Sequence, residues 1–257
     1  MEQTLRDLGL MKLGAITPRE PEDLIKGMIR TGEINLIGYY QDINITPLLS
    51  ALTTAVTNGT TFAGQPSTTD STVILLSKRE PISFVAQSMK DHGVNMNRVI
   101  VPHPATECNL TVEYINSVLE IAKDPALLII DSLEDVLKSE PVVLSTEVYD
   151  LLRKITNVCV AHNCALVVTS EIVDADEYEL DEDGDDTEAM LHELLGYEPP
   201  VDCFSLTSFL KRLFVVGHMM PGEDFCLLEQ PTKDPLAKLW AEFDIDENGK
   251  IVWKTEE

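Results

Sequence analysis

The sequence predicts an α/β protein: a mostly parallel sheet flanked by helices, with an antiparallel β extension towards the C-terminal end. Three observations carry this. Short apolar runs alternate with amphipathic, helix-length stretches from residue 32 to residue 170. The runs TVILL (72–76), ALLII (126–130) and ALVVT (165–169) are continuously apolar, as in strands covered on both faces. From residue 213 onward β-type runs follow one another, and the last two are separated by Asn248-Gly249, a strong hairpin signal.

In chain order, residues 1–16 read as a short amphipathic arm, broken by Pro18 and Pro21. Over 22–29, Leu24, Ile25, Met28 and Ile29 share one helical face, so a lead-in helix is expected there, stopped at Gly32. The first strand is expected at 34–38 and the next helix at 47–57, closed by Gly59. Pro47 suits the first helical turn, where its missing N–H costs nothing. A polar loop (65–71) leads to the strand 72–76, a helix 82–92 closed by Gly93, a short strand 99–101 and a helix 109–122. The run 125–137 holds the clearest strand, whose apolar residues end at Asp131. A long amphipathic helix (142–162) and the strand 165–169 follow. Residues 174–188, DADEYELDEDGDDTE, are expected to form a solvated acidic loop, with short helical content at 189–195. Strands are expected at 213–219, 225–228, 239–244 and 250–253. The chain thus divides into an arm with its lead-in helix (1–31) and one main domain (32–257) that carries the acidic loop and the C-terminal hairpin.

With 257 residues, 44% apolar and 25% charged, the chain has the composition of an ordinary globular protein. Its net charge of -25 argues against general affinity for nucleic acids or anionic membranes; it reads first as solubility and otherwise as complementarity to a partner with a basic surface. Five cysteines lack C-x-x-C spacing and most sit in apolar contexts, as expected of free buried thiols in a reducing compartment. The histidines are scattered, so no metal cluster is expected. Arg6, Asp7 and Lys12 interrupt the first apolar stretch, so no signal peptide is read there and the cytoplasm is the expected location.

Residues 32–66 are laid out as a strand, a loop and a helix, in the manner of a nucleotide-binding unit. A phosphate-cradling loop would read G-x-x-x-x-G-K-[ST], with glycines for close backbone approach and a lysine for the β/γ-phosphates. Here the frame falls on Tyr39, Asn44, Ile45 and Thr46. Asn44, Ile45 and Thr46 therefore mark a degenerate cofactor-binding position at which only the hydroxyl survives. Thr46 reads more readily as a capping or first-turn threonine, and Asp131 equally as a plain strand terminus. Two calcium-like patterns, at 181–184 and 244–249, are explained by the acidic loop and a hairpin turn.

Several blocks, taken together, carry a family resemblance. Glu22-Asp23-Leu24-Ile25 through Gly32 is similar to a lead-in segment before a first core strand. Gly59-Thr60-Thr61-Phe62-Ala63-Gly64-Gln65-Pro66 matches G-x-x-F-x-G-x-P. Val73 to Leu76, Leu128-Ile129-Ile130-Asp131-Ser132-Leu133, the passage from Ala161 to Val168 and the stretch from Pro235 to Asp244 follow in order. The whole resembles the RecA-fold core of RepA-type and DnaB-type hexameric replicative helicases and their KaiC-like relatives, RepA-type above all.

The resemblance implies a RecA-like fold and places the active positions one by one. Asp131 falls on the magnesium-holding aspartate at the end of the Walker B-like strand. The catalytic glutamate after the second strand falls on Arg79, with Glu80 one place along. The sensor position carries Ser170-Glu171. In the arginine-finger loop the expected cations fall near Gln230 and Thr232, with Lys233 displaced by one. The loop that would line a DNA-binding pore carries the acidic run 174–188, which repels a nucleic-acid strand. Glu80, Asp131 and Glu171 are thus vestigial catalytic candidates, and Thr46 and Asp131 vestigial metal positions. The expectation is a pseudo-ATPase with no cofactor that acts through a protein partner or by self-assembly, in phage or plasmid replication or structural machinery. Two further readings stay open: a divergent ATP-dependent helicase or translocase using Thr46, Asp131 and Glu80, and an acidic inhibitor that mimics DNA through residues 174–188.

Overall fold

The structure is a computed structural model that describes residues 12, 21–40, 43–105, 110–123, 125–137, 146–172, 212–218, 225–230 and 238–254. Its centre is a nine-stranded sheet in the order β13-β12-β11-β10-β3-β9-β8-β6-β7. The core strands are β3 (Ile34–Tyr40), β6 (Thr72–Ser77), β7 (Val99–Ile100), β8 (Pro125–Asp131), β9 (Ala165–Ile172) and β10 (Arg212–His218), each parallel to its neighbours among them. On the far side of β10 the strands β11 (Phe225–Gln230), β12 (Lys238–Ile245) and β13 (Ile251–Lys254) continue antiparallel. Small hairpins lie beside the main sheet: β1 (Asp23–Ile25) with β2 (Ile29–Arg30), and β4 (Thr61–Phe62) with β5 (Gln65–Pro66).

Helices cover both faces. On one face α1 (Thr46–Asn58) and α2 (Ile82–Asp91) pack through Leu48, Leu52, Val56, Val85 and Met89 onto Ile37, Val73, Leu75, Leu127, Ile129 and Val167. On the other, α3 (Val112–Ala122), the short α4 (Leu133–Leu137) and α5 (Thr146–Ala161) pack through Ile115, Leu119, Leu133 and Ile155 onto Leu36, Ile74, Leu128, Ile130, Leu166 and Val168. Alternate residues of each strand feed opposite cores, which is why these runs are continuously apolar.

The lead-in helix expected at 22–29 is instead the β1–β2 hairpin. Leu24, Ile25, Met28 and Ile29 are all buried, at 4%, 0%, 1% and 2% exposure. The spacing that reads as one helical face is satisfied equally by a tight turn between the two pairs. Gly27 supplies that turn at φ +73°, and its N–H donates to Asp23 Oδ2 at 2.9 Å. Arg30 Nε donates to the other Asp23 oxygen at 2.7 Å.

Other boundaries shift in ways that bear on function. β3 runs two residues beyond the expected end and takes in Tyr39. β9 continues to Ile172, so Ser170 and Glu171 are strand residues. The stretch 125–137 divides into β8 and α4, with a cis peptide between Asp131 and Ser132. The Asn248-Gly249 turn forms with Gly249 at φ +76°, and Asp246 Oδ1 accepts the N–H groups of Asn248 and Lys250, both at 2.9 Å. The acidic run 174–188, the helical content expected at 189–195, the arm before residue 21 apart from Lys12, and residues 231–237 lie outside the described residues.

Candidate functional site

The C-terminal edge of the parallel strands, on the face covered by α1 and α2, carries a row of polar side chains. Ser77 pairs with Asp131 across β6 and β8, and Ile37 with Thr169 across β3 and β9. Asp131 is level with Thr169, one step beyond the Ile130–Val168 pair. Ser77 Oγ donates to Asp131 Oδ2 and Thr169 Oγ1 donates to Asp131 Oδ1, both at 2.8 Å. Asp131 is 3% exposed. Burial pushes its carboxyl pKa up, while the Thr169 and Ser77 hydroxyls and the charge of Arg79 pull the other way. Each carboxylate oxygen thus already accepts a hydroxyl from a neighbouring strand.

Between β3 and α1 the structure describes residues 43–45. Tyr39, at the first glycine position, is a strand residue only 1% exposed. Ile45, at the lysine position, is wholly buried in the core beneath α1. It precedes the helix in a right-handed conformation and offers no side-chain cap; the Asn44 side chain accepts the Thr46 N–H instead, at 2.9 Å. The lysine vector of a working loop is therefore spent on packing.

Thr46 is the first residue of α1, and its hydroxyl donates to Glu80 Oε2 at 2.9 Å. The first turn of α1 has no acidic residue of its own. A helix N-terminus favours negative charge and is where such folds seat a phosphate. Glu80, sent across from the end of β6, supplies a carboxylate to the residue that opens the helix.

Arg79, next to Glu80, lays its guanidinium over the Tyr39 ring, 4.7 Å from the ring centre. Burial raises the Tyr39 phenol pKa, and Asp131 and Glu134 add to the rise, while Arg79 and Ser132 oppose it. Arg79 thus faces both Tyr39 and Asp131, at a position where the family resemblance would put a catalytic glutamate. Ser170 Oγ donates to Glu134 Oε1, and Glu171 sits level with Tyr39 across β9 and β3. The second Glu134 oxygen and Arg79 Nη1 are buried without a hydrogen-bond partner among the described residues.

Of the residues singled out from sequence, Thr46 and Glu80 meet directly, and Arg79, next to Glu80 in the chain, acts electrostatically on Asp131. Asn44 serves as a helix cap, Ile45 as core. Gln230 lies in β11, while Thr232 and Lys233 fall outside the described residues. Sequence reasoning missed the hydroxyls of Ser77 and Thr169 and the pairing of Ser170 with Glu134. The signal was present: each is a hydroxyl residue at the end of an apolar strand run.

Among solved structures, a KaiC-like protein from the hyperthermophilic archaeon Pyrococcus horikoshii is similar, with a TM-score of 0.52 at 13% identity, over 90% of this chain and 94% of that one. The fold is RecA-like. At that identity the likeness concerns the fold alone. No family profile matches the sequence, and no curated protein does. The strand order β10-β3-β9-β8-β6 of this RecA-like sheet places Thr46, Glu80 and Asp131 at one edge. Among the described residues, no helix is long and apolar enough to cross a membrane, and no group of three or more metal-ligating side chains converges.

Proposed function

We propose that this chain is a RecA-fold pseudo-ATPase: a helicase-like scaffold that no longer hydrolyses nucleotide and acts by binding a protein partner or by assembling. The setting proposed is replication or structural machinery of the kind carried by phages and plasmids. The observation that carries the reading is the Thr46–Glu80 hydrogen bond at the opening of α1. A phosphate arriving there meets a carboxylate of the same sign already bonded to the first helical residue. It finds no lysine, because Ile45 faces the core. Arg79 is turned onto Tyr39, and its charge works against the pKa rise that burial gives Asp131. The partner is proposed to present a basic surface to a chain of net charge -25.

The test is thermal stability and turnover with magnesium and ATP. A ligand at a hundred times its Kd stabilises a fold by about 2.7 kcal/mol, which melting resolves easily. The expected result is no shift at millimolar nucleotide and phosphate release no greater than in Asp131→Ala. A shift together with turnover above that control would overturn the proposal. It would favour the second reading, a divergent ATP-dependent helicase or translocase, which draws support from Thr46, Glu80 and Asp131 sharing one sheet edge. In that case Glu80→Gln would abolish turnover.

A further inference from the structure

We propose that His92 is a pH-operated latch that holds the C-terminal hairpin β12–β13 against α2 and releases it when the imidazole takes up a second proton. His92 follows the last residue of α2 and is 7% exposed. Both ring nitrogens are committed. Nδ1 lies 2.8 Å from the Ser88 carbonyl oxygen, one turn back on α2, which makes it the donor. Nε2 accepts the backbone N–H of Ile251 at 3.1 Å, the first residue of β13. Only the neutral tautomer with its proton on Nδ1 satisfies both bonds.

The latch sits at the edge of the nine-stranded sheet, where β13 has one neighbour, β12, among the described residues. Ile251 pairs with Ile245 across the hairpin, and its N–H is spent on the histidine. Next to it Trp253 packs edge-on against Phe62 at 5.3 Å and against Phe243 at 5.5 Å. Ile251 itself is 6% exposed and belongs to the core beneath α1. A proton on Nε2 would set an N–H against the Ile251 N–H, so two donors would face each other in a buried place and the hairpin would lose its anchor to α2.

The charged groups around the ring divide. Asp91 on α2 and Asp246 in the hairpin turn favour the imidazolium, while Lys250 opposes it. α1, which also touches the residue through Thr54 Oγ1 on the His92 carbonyl, carries no ionisable side chain. Burial is the largest influence, and together with Lys250 it outweighs the carboxylates and the Ser88 carbonyl, so the histidine pKa is lowered. The sign follows. The latch is fully closed above the ordinary histidine range, near pKa 6.5, and opens as pH falls through the lower folded value.

The test compares wild type with His92→Gln, whose amide oxygen can accept from Ile251 but takes up no proton. Hydrogen-exchange protection of the Ile251 amide, corrected for intrinsic exchange, is followed by NMR from about pH 8 to about pH 5, with the Trp253 indole resonance as second readout. In wild type, protection should fall by up to about tenfold per pH unit within the window between the free and latched pKa values. In His92→Gln it should not change across the same range. Flat protection in wild type, or a parallel fall in His92→Gln, overturns the latch. Should that variant not fold, the wild-type His92 nitrogen resonances decide. Nε2 unprotonated at neutral pH and titrating together with Trp253 supports the latch; Nε2 protonated at neutral pH overturns it.

Discussion

Replacing Ile45 by lysine tests most directly whether the β3–α1 loop has become part of the core. In a working phosphate loop this side chain points at the ligand, and a lysine there is at home. Here the position is 0% exposed and packed among Leu48, Leu49 and the strand residues beneath α1. The comparison is Ile45→Met, close to lysine in length and shape but uncharged. A volume-conserving apolar swap costs less than about 1.5 kcal/mol. An ammonium buried without a partner costs about 3–5 kcal/mol more, unless the amine sheds its proton or the stem works its head to the surface. Against the roughly 5–15 kcal/mol that holds a domain together, that is a large share. Urea denaturation of both variants, with and without magnesium and ATP, gives the answer through the midpoint at constant slope. The expectation is a much lower midpoint for Ile45→Lys than for Ile45→Met, unaffected by nucleotide. If Ile45→Lys were as stable as Ile45→Met and gained stability from ATP, the loop would be an intact cradle that merely lacks its lysine, and the reasoning would fail.

Two further outcomes follow from the same site. Arg79→Met removes the guanidinium from the Tyr39 face, worth about 0.5–2 kcal/mol, and raises the Asp131 carboxyl pKa further, since the Arg79 charge is one of the influences holding it down. A urea midpoint and a carboxyl NMR titration check both, and an unchanged Asp131 titration would count against the placement of Arg79. Because burial raises the Asp131 pKa above its ordinary 3.8, proton uptake favours the folded state. That contribution is fully present below the unfolded value and is lost as pH rises through the folded one. Asp131→Asn should lack it, so its stability relative to wild type should improve as pH rises through that window; a constant difference in urea midpoints would refute the shift.

Much of the fold was legible because the strands are buried on both faces. TVILL, ALLII and ALVVT have no polar position to confuse with a helix face, and each became a core strand. The 22–29 segment was misread because Leu24, Ile25, Met28 and Ile29 satisfy two geometries at once, and only the left-handed backbone at Gly27 decides between them. Strand ends were the other weak point. Tyr39, Ser170 and Glu171 lie past the last aliphatic residue of their runs, where hydropathy no longer reports pairing, yet the ladder continues through them. The residue types at the loop positions were readable from the sequence. The contacts made there were not, because they join residues distant in the chain: Thr46 with Glu80, Ser77 and Thr169 with Asp131, and Tyr39 with Arg79.

Those contacts explain why the departures occur together. An open helix N-terminus favours an anion, and a buried aspartate needs donors or a cation. In a nucleotide-bound RecA-like site, phosphate and metal meet both needs. On the proposed reading each need is met internally, by the adjacent pair Arg79–Glu80: Glu80 reaches the start of α1, and Arg79 brings positive charge to Tyr39 and Asp131. The hydroxyls of Ser77 and Thr169 complete the aspartate's partners. On that reading, restoring a single feature would not be enough. A lysine at position 45 would still meet a helix start already occupied by Glu80, and a glutamate at position 79 would leave Asp131 without its nearby cation. If the proposal holds, a return to nucleotide chemistry would take several simultaneous changes at these positions.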